Sequence, residues 1–311
     1  MNAAFKIIIT WWLIVASGTT VAADTKVVRI GFQKYGKLVL LKNKGTLEAV
    51  LKPLGFSVAW TEFPSGPPLL EAINAGAIDF GNTGEAPPIF AQAARVPFVY
   101  VAYEPPAPRG EAILVARDSA LKTIADLKGK KVALNKGSNV HYLLVKALDR
   151  AGVKYSEIQT VFLAPADARA AFERGSVDAW VIWDPYLAAA EAATGARTLS
   201  DGTGIVSNTQ FYLGARGFVA TNAQVLDAVL AELREVDAWA RRDIAAVAAQ
   251  LSPAVGIPAP VLEVALKRQS YGIKLIDQGA LAEQQRIADA FGQLGLLPAP
   301  VKVADAVRSG P

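Results

Sequence analysis

Val27-Val28-Arg29-Ile30-Gly31-Phe32-Gln33-Lys34 is an apolar, strand-like run closed by an amide side chain and a lysine. It returns about 100 residues later as Lys131-Val132-Ala133-Leu134-Asn135-Lys136. The segments after the two copies match as well. A helix is predicted around residues 45–53 after the first and 139–151 after the second, each closing near a glycine (Gly55, Gly152) as a left-handed C-cap requires. Strands Phe56 to Phe63 and Ile158 to Leu163 come next and run into Pro64 and Pro165. Ser65-Gly66-Pro67-Pro68-Leu69-Leu70-Glu71-Ala72-Ile73-Asn74-Ala75-Gly76 then parallels Ala166-Asp167-Ala168-Arg169-Ala170-Ala171-Phe172-Glu173-Arg174-Gly175. Ser65 and Asp167 suit N-caps, and the closing glycines suit helix stops. Ala77-Ile78-Asp79-Phe80 pairs with Ser176-Val177-Asp178-Ala179, and six residues past each aspartate stands another acid, Glu85 or Asp184, with a proline close behind.

Each half therefore reads β-α-β-α-β. That order places the chain in the α/β class, with mostly parallel strands covered by helices on both faces. The repeat is too long and too weak for a solenoid, so two similar lobes are expected. Pro105-Pro106-Ala107-Pro108 followed by Glu111 to Ala116 reads as the first crossing between lobes, and Phe211 to Ala220 as the return strand. Beyond residue 222 the chain is alanine-rich and helical (Asn222 to Arg242, Pro260 to Gln269, Leu281 to Leu294), with nothing strand-like left, so these helices are expected to pack back on the first lobe. The expected organisation is a leader over 1–23, lobe 1 over 24–112 and 218–311, and lobe 2 over 113–217. Two crossings make a hinge.

The leader is read from Lys6, the nine-residue apolar run Ile7 to Val15, and the small residues of Val21-Ala22-Ala23 before Asp24, the pattern of a cleavable secretory signal. Nine residues cannot cross a bilayer, which takes about 20. The chain has no cysteine, so an exported form has neither disulfides nor a lipid-anchoring thiol. A soluble, periplasmic, monomeric protein is expected. The whole chain has 32 basic and 28 acidic side chains, a mild excess with no run of five like charges, which gives no support for nucleic-acid or membrane-surface binding.

In open α/β sheets, ligands sit beyond the carboxyl ends of strands, where helix N-termini offer unpaired N–H groups and partial positive charge that favour anions. Gln33, Ser65, Gly66, Asn82, Thr83, Gly84 and Glu85 mark such turns in lobe 1. Ser138, Asn139, His141, Trp183, Asp184 and Tyr186 mark them in lobe 2. Taken singly, Ser65, Thr83, Ser138 and Asp184 suit plain N-caps better than ligand contacts, and Trp183 suits the core as well as a pocket wall. No catalytic equipment is evident: there is no phosphate loop, no dinucleotide fingerprint and no nucleophile elbow. One histidine and no cysteine cannot build a common zinc or thiol site, so no metal and no cofactor are expected.

Several stretches together resemble the aliphatic sulfonate-binding proteins of ABC transporters. They are Phe63-Pro64-Ser65-Gly66-Pro67, Gly81-Asn82-Thr83-Gly84-Glu85-Ala86-Pro87-Pro88, Lys136-Gly137-Ser138 with His141, Pro165 to Phe172, and Trp183-Asp184-Pro185-Tyr186. The resemblance runs from about Val27 to near residue 300. It implies a two-lobed periplasmic-binding-protein fold of type II, closure on an alkanesulfonate, and a membrane permease with its ATPase as partner. Taurine- and nitrate-binding proteins share part of the pattern and leave those oxyanions open as ligands. The alternative class is a two-lobed enzyme of thiamine or menaquinone precursor synthesis. Asn82 stands where serine is frequent in the family, and Glu85 where aspartate is.

Overall fold

Both copies of the repeat fold as read, and each gains strands that the sequence did not announce. The computed structural model describes residues 25–307; the leader expected over 1–23 lies outside the described residues. Lobe 1 opens with β1 (Lys26–Phe32), α1 (Lys37–Lys44), α2 (Thr46–Leu51), β2 (Phe56–Glu62), α3 (Gly66–Asn74), β3 (Phe80–Gly84), α4 (Ala86–Ala93) and β4 (Phe98–Tyr103). Lobe 2 comprises β5 (Glu111–Val115), β6 (Lys131–Leu134), α5 (Asn139–Arg150), β7 (Gln159–Phe162), α6 (Pro165–Glu173), β8 (Ala179–Trp183), α7 (Tyr186–Thr194) and β9 (Arg197–Asp201). The chain then returns to lobe 1 through β10 (Gln210–Ala215), α8 (Arg216–Thr221), α9 (Ala223–Arg242), α10 (Ile244–Val255), α11 (Ala259–Arg268), β11 (Lys274–Leu275) and α12 (Gln278–Gln293).

The sheet orders are β11-β4-β10-β3-β1-β2 and β7-β6-β8-β5-β9. Each has a parallel core, β2-β1-β3 in one and β7-β6-β8 in the other. Beside that core lies the strand that has just crossed from the other lobe, β10 or β5, and it enters antiparallel. The sheets are therefore mixed, because a strand arriving through the hinge runs against its new neighbours. The expected boundaries also move. Glu111 already pairs with Trp183, and Gln210 with Gly84, so the second crossing lies before residue 210 and not at 217.

The echo has a physical basis. Asp79 accepts the Arg29 backbone N–H at 2.8 Å in lobe 1, and Asp178 accepts the Lys131 N–H at 2.8 Å in lobe 2, so the equivalent aspartate ties down the neighbouring parallel strand in both. Gly76 and Gly175 adopt left-handed φ of 66° and 67°. Each lets its successor's N–H reach back to close the helix, Ala77 to Ala72 at 2.8 Å and Ser176 to Ala171 at 2.9 Å.

Three features escaped the sequence reading. Lys37-Leu38-Val39-Leu40-Leu41 is helical and buried, because α1 is covered on both sides, by the sheet and by α9. The helix α10 carries Pro253 within it and was not expected. The C-terminal segment also supplies a strand, β11, which pairs with β4. The C-terminal helices do return to lobe 1, α9 on α1 and α2 and α12 on α4, but α11 also rests on α7 of lobe 2.

Candidate functional site

A cleft of about 310 Å3 lies between the lobes, beyond the carboxyl ends of β1, β2 and β8. Lobe 1 gives it Gln33, Lys34, Tyr35 and Gly36 from the β1–α1 turn, Glu62, Phe63 and Pro64 from the end of β2, and Asn82 from β3. Lobe 2 gives Ala166, Trp183, Asp184, Pro185 and Tyr186. The hinge adds Glu104, Ala107, Gly110, Asn208 and Gln210, and the end of α11 adds Arg268, Gln269 and Ser270.

Five of the thirteen residues singled out in the sequence line this cleft: Gln33, Asn82, Trp183, Asp184 and Tyr186. The Gln33 amide donates to the Asn82 carbonyl at 3.1 Å, which fixes it against the wall. Asn82 is buried, and its Oδ1 has no protein partner. Asp184 accepts the Ala188 N–H at 3.0 Å, capping the first turn of α7, and precedes a cis peptide to Pro185.

The other eight lie behind the wall. Ser65 and Gly66 are buried at the start of α3, where a Cβ on Gly66 would come within 2.7 Å of Pro87. The Thr83 hydroxyl donates to the Gly84 carbonyl at 2.9 Å, and the Ser138 hydroxyl to the Asn135 carbonyl at 2.7 Å. Asn139 packs directly on Gly84 across the lobes and donates to Asn208 Oδ1 at 2.6 Å. Glu85 accepts the Thr209 N–H at 2.8 Å. His141 is fully enclosed: Nδ1 accepts from the Gly137 N–H at 3.2 Å, Nε2 meets the Tyr155 hydroxyl at 2.8 Å, and Phe90 stacks on its ring. Burial, with the Lys136 charge, drops its pKa to about 4, so the imidazole is neutral. Helix N-termini that meet one another across a seam carry the same small polar residues as those that meet a ligand.

The cleft also holds an arginine that the sequence reading did not single out. Arg268 spans from α11 to lobe 2, with Nη2 at 2.6 Å from Glu191 and Nη1 at 3.5 Å from Asp184. Gln269 and Ser270 are held by the Lys37 ammonium, which is wholly buried and donates to Glu104 at 2.7 Å, Gln269 Oε1 at 3.0 Å and the Ser270 carbonyl at 3.0 Å. Asp237 stands 3.6 Å from the same ammonium, the Tyr271 ring lies beneath it at 4.6 Å, and Tyr212 donates its hydroxyl to Glu104 at 2.7 Å. Arg268, Gln269, Ser270, Asp237 and Tyr271 fall outside the repeat. The one available signal was the polar stretch Arg268-Gln269-Ser270 ending an otherwise apolar helix.

Three buried acids surround the hinge and the wall. Burial, opposed by the Thr209 and Asn208 N–H groups, raises Glu85 from 4.5 to about 7. Burial likewise lifts Asp184 to about 7 against the pull of Arg268. Glu111, fully enclosed with neither oxygen bonded, is held well above the usual range by burial and by the charge of Glu85. The folded chain thus keeps protons that the unfolded chain has released above about pH 4.5. Their contribution is complete below the unfolded pKa and is lost as pH rises through about 7. Stability is expected to fall between about pH 4.5 and 7.5, by roughly 3 kcal/mol from Glu85 alone. Urea unfolding at several pH values measures it, and Glu85→Gln should flatten the profile; a wild-type stability that rises over this window would show that these acids are ionised in the fold.

Comparison with known proteins places the geometry among others. The model of the NMT1/THI5-like family matches residues 55–241. A protein of Escherichia coli (strain K12), named for binding aliphatic sulfonates, is 46% identical over 295 residues, covering 94% of this chain and 92% of the relative. The solved alkanesulfonate-binding protein of Xanthomonas axonopodis pv. citri, bound to MOPS, superposes with a TM-score of 0.86 at 38% identity, over 93% of this chain and 100% of that one. The periplasmic aliphatic sulphonate binding protein of Escherichia coli gives a TM-score of 0.83 at 45% identity, over 92% of this chain and 93% of that one.

Proposed function

The chain belongs to the NMT1/THI5-like family and, within it, to the aliphatic sulfonate-binding proteins, and on that footing we propose that it is the periplasmic solute-binding component of an ABC importer. Its two lobes close on an aliphatic sulfonate and present it to a permease driven by an ATPase. The observation that carries this reading is the set of neutral side-chain amides around the cleft: Gln33, Asn82, Asn208, Gln210 and Gln269. A sulfonate is ionised at any physiological pH and has three acceptor oxygens. Hydrogen bonds from such donors to a charged group contribute about 1.5–3 kcal/mol each without needing a cation. Phe63, Trp183 and Tyr186 offer apolar surface for an alkyl tail.

The protein binds without turnover in this reading. Its one histidine is neutral and engaged away from the cleft, and Asp184 is tied to α7 and Arg268. The mature form begins at Asp24 after removal of the leader and works as a monomer.

The test is the melting temperature of refolded, ligand-free protein against alkanesulfonates of increasing length, with nitrate and sulfate alongside. A ligand at 100 times its Kd adds about 2.7 kcal/mol, a shift of several degrees for a chain of this size. A shift with sulfonates alone is expected. A shift with nitrate or sulfate and none with any sulfonate would overturn the assignment of ligand class.

A further inference from the structure

Two carboxyl groups that do not line the cleft meet where the lobes join. Glu85 stands before α4 in lobe 1, directly after Gly84, on which Asn139 of lobe 2 packs. Glu111 opens β5, the first strand of lobe 2, and the charge that bears on it is that of Glu85. Both residues have no exposed surface. Glu85 holds the second crossing through the Thr209 N–H, but its other oxygen and both oxygens of Glu111 have no partner. Around Glu85 stand Glu283 and Gln284 of α12, Tyr142 of α5 and Tyr103 of β4. Arg286 is paired with Glu283, and Asp277 accepts the Tyr103 hydroxyl at 2.6 Å. Among the described residues, no cation offsets either carboxyl.

Two neighbouring carboxylates that lose their hydration and gain no cation cannot both stay ionised, so the pair keeps a proton while the lobes are shut. When the lobes part, the two acids separate, water reaches them, and each returns toward its ordinary acidity near 4.5. We propose that closure on ligand is proton-linked: the seam between Glu85 and Glu111 takes up a proton as the lobes shut and yields it as they open. This rests on the reading of the chain as a receptor that closes, and not on which anion fills the cleft. The closed state binds more protons than the open one, so affinity is highest at low pH and weakens as pH rises above the ordinary carboxyl range. Ligand is held more firmly in acidic surroundings and released more readily in neutral ones. A sulfonate has a fixed charge and His141 is already neutral, so neither supplies the linkage.

Titration calorimetry with 1-propanesulfonate in phosphate and in Tris counts the protons, because the two buffers differ in ionisation enthalpy. About half to one proton should be taken up per ligand near pH 7.5, and Kd should rise about 3- to 10-fold per pH unit around that point. In Glu111→Gln, whose amide has the shape of the protonated acid, uptake should fall by about half or more and the pH profile flatten. Glu85→Gln, read in the same way, carries the comparison if that variant does not fold. No uptake by the unaltered chain, or uptake unchanged in the folded variants, overturns the inference and leaves the sulfonate reading intact; the second result would place the proton elsewhere, as on Asp184 in the cleft wall. If no sulfonate binds at any pH, the sulfonate reading fails, and the count is made with whichever of nitrate and sulfate raises the melting temperature. A chain that binds none of them has no ligand-driven closure and loses both.

Discussion

Replacing Lys37 with methionine is expected to cost about 3–5 kcal/mol of folding free energy, the range found when one partner of a buried ion pair is removed. The ammonium is wholly buried and serves two carboxylates, a side-chain amide, a backbone carbonyl and the face of Tyr271. Without it, Glu104 and Asp237 stay enclosed with their charges uncompensated and must take up protons or draw in water. Urea denaturation measures the loss directly. Adding Glu104→Gln to the methionine variant should restore part of it, since one of the two stranded charges is then gone. A loss below about 1 kcal/mol would mean that the pocket around Lys37 admits water and the network is not closed. The same variant should weaken ligand binding, because Gln269 and Ser270 owe their position in the cleft wall to this ammonium.

Gly84→Ala is expected to leave each lobe folded and to weaken ligand binding by about 5- to 100-fold. The added methyl would overlap the carboxamide of Asn139, which belongs to the other lobe, is buried, and is held by its bond to Asn208. Overpacking of this kind costs about 1–3 kcal/mol. Here the clash exists only while the lobes are shut, so the cost falls on the closed state alone. Apparent affinity then drops by the fraction of molecules that remain competent to close. Calorimetry with the preferred sulfonate gives the affinity, and solution scattering should show a larger radius of gyration. Unchanged affinity would show that the contact between Gly84 and Asn139 persists when the lobes open.

The fold was legible because its two halves solve the same local problems with the same residues. Asp79 and Asp178 tie down neighbouring strands, and Gly76 and Gly175 stop equivalent helices, so the repeat could be seen without any alignment. Hidden were the elements whose character is set from outside. Leu38 to Leu41 could as well be strand as helix until α9 covers them, and β11 is two residues long. The site was legible in part for the same reason. Turns that follow repeated strands announced Gln33, Asn82 and Trp183 to Tyr186. Asn139 and His141 carry the identical signature but meet the other lobe, at Gly84 and Phe90, while Ser138 turns back to Asn135, because a helix N-terminus presents the same donors to a carboxamide as to an anion. Arg268 came from a single-copy segment with no twin to mark it.

The position of β10 sets an order of events during synthesis. It lies between β3 and β4, with more than a hundred residues separating it from them in the chain, while β5 to β9 form one uninterrupted segment. The inserted lobe has all its strands as soon as residue 201 has been made. The flanking lobe then still has β4 without a neighbour and an open slot at the middle of its sheet. Pairings so distant in sequence form slowly, since a long loop must close before any contact rewards it. The nascent protein therefore passes through a stage with one finished half and one unfinished half, and the late arrival of a single central strand closes the middle of the unfinished sheet before the C-terminal helices cover it.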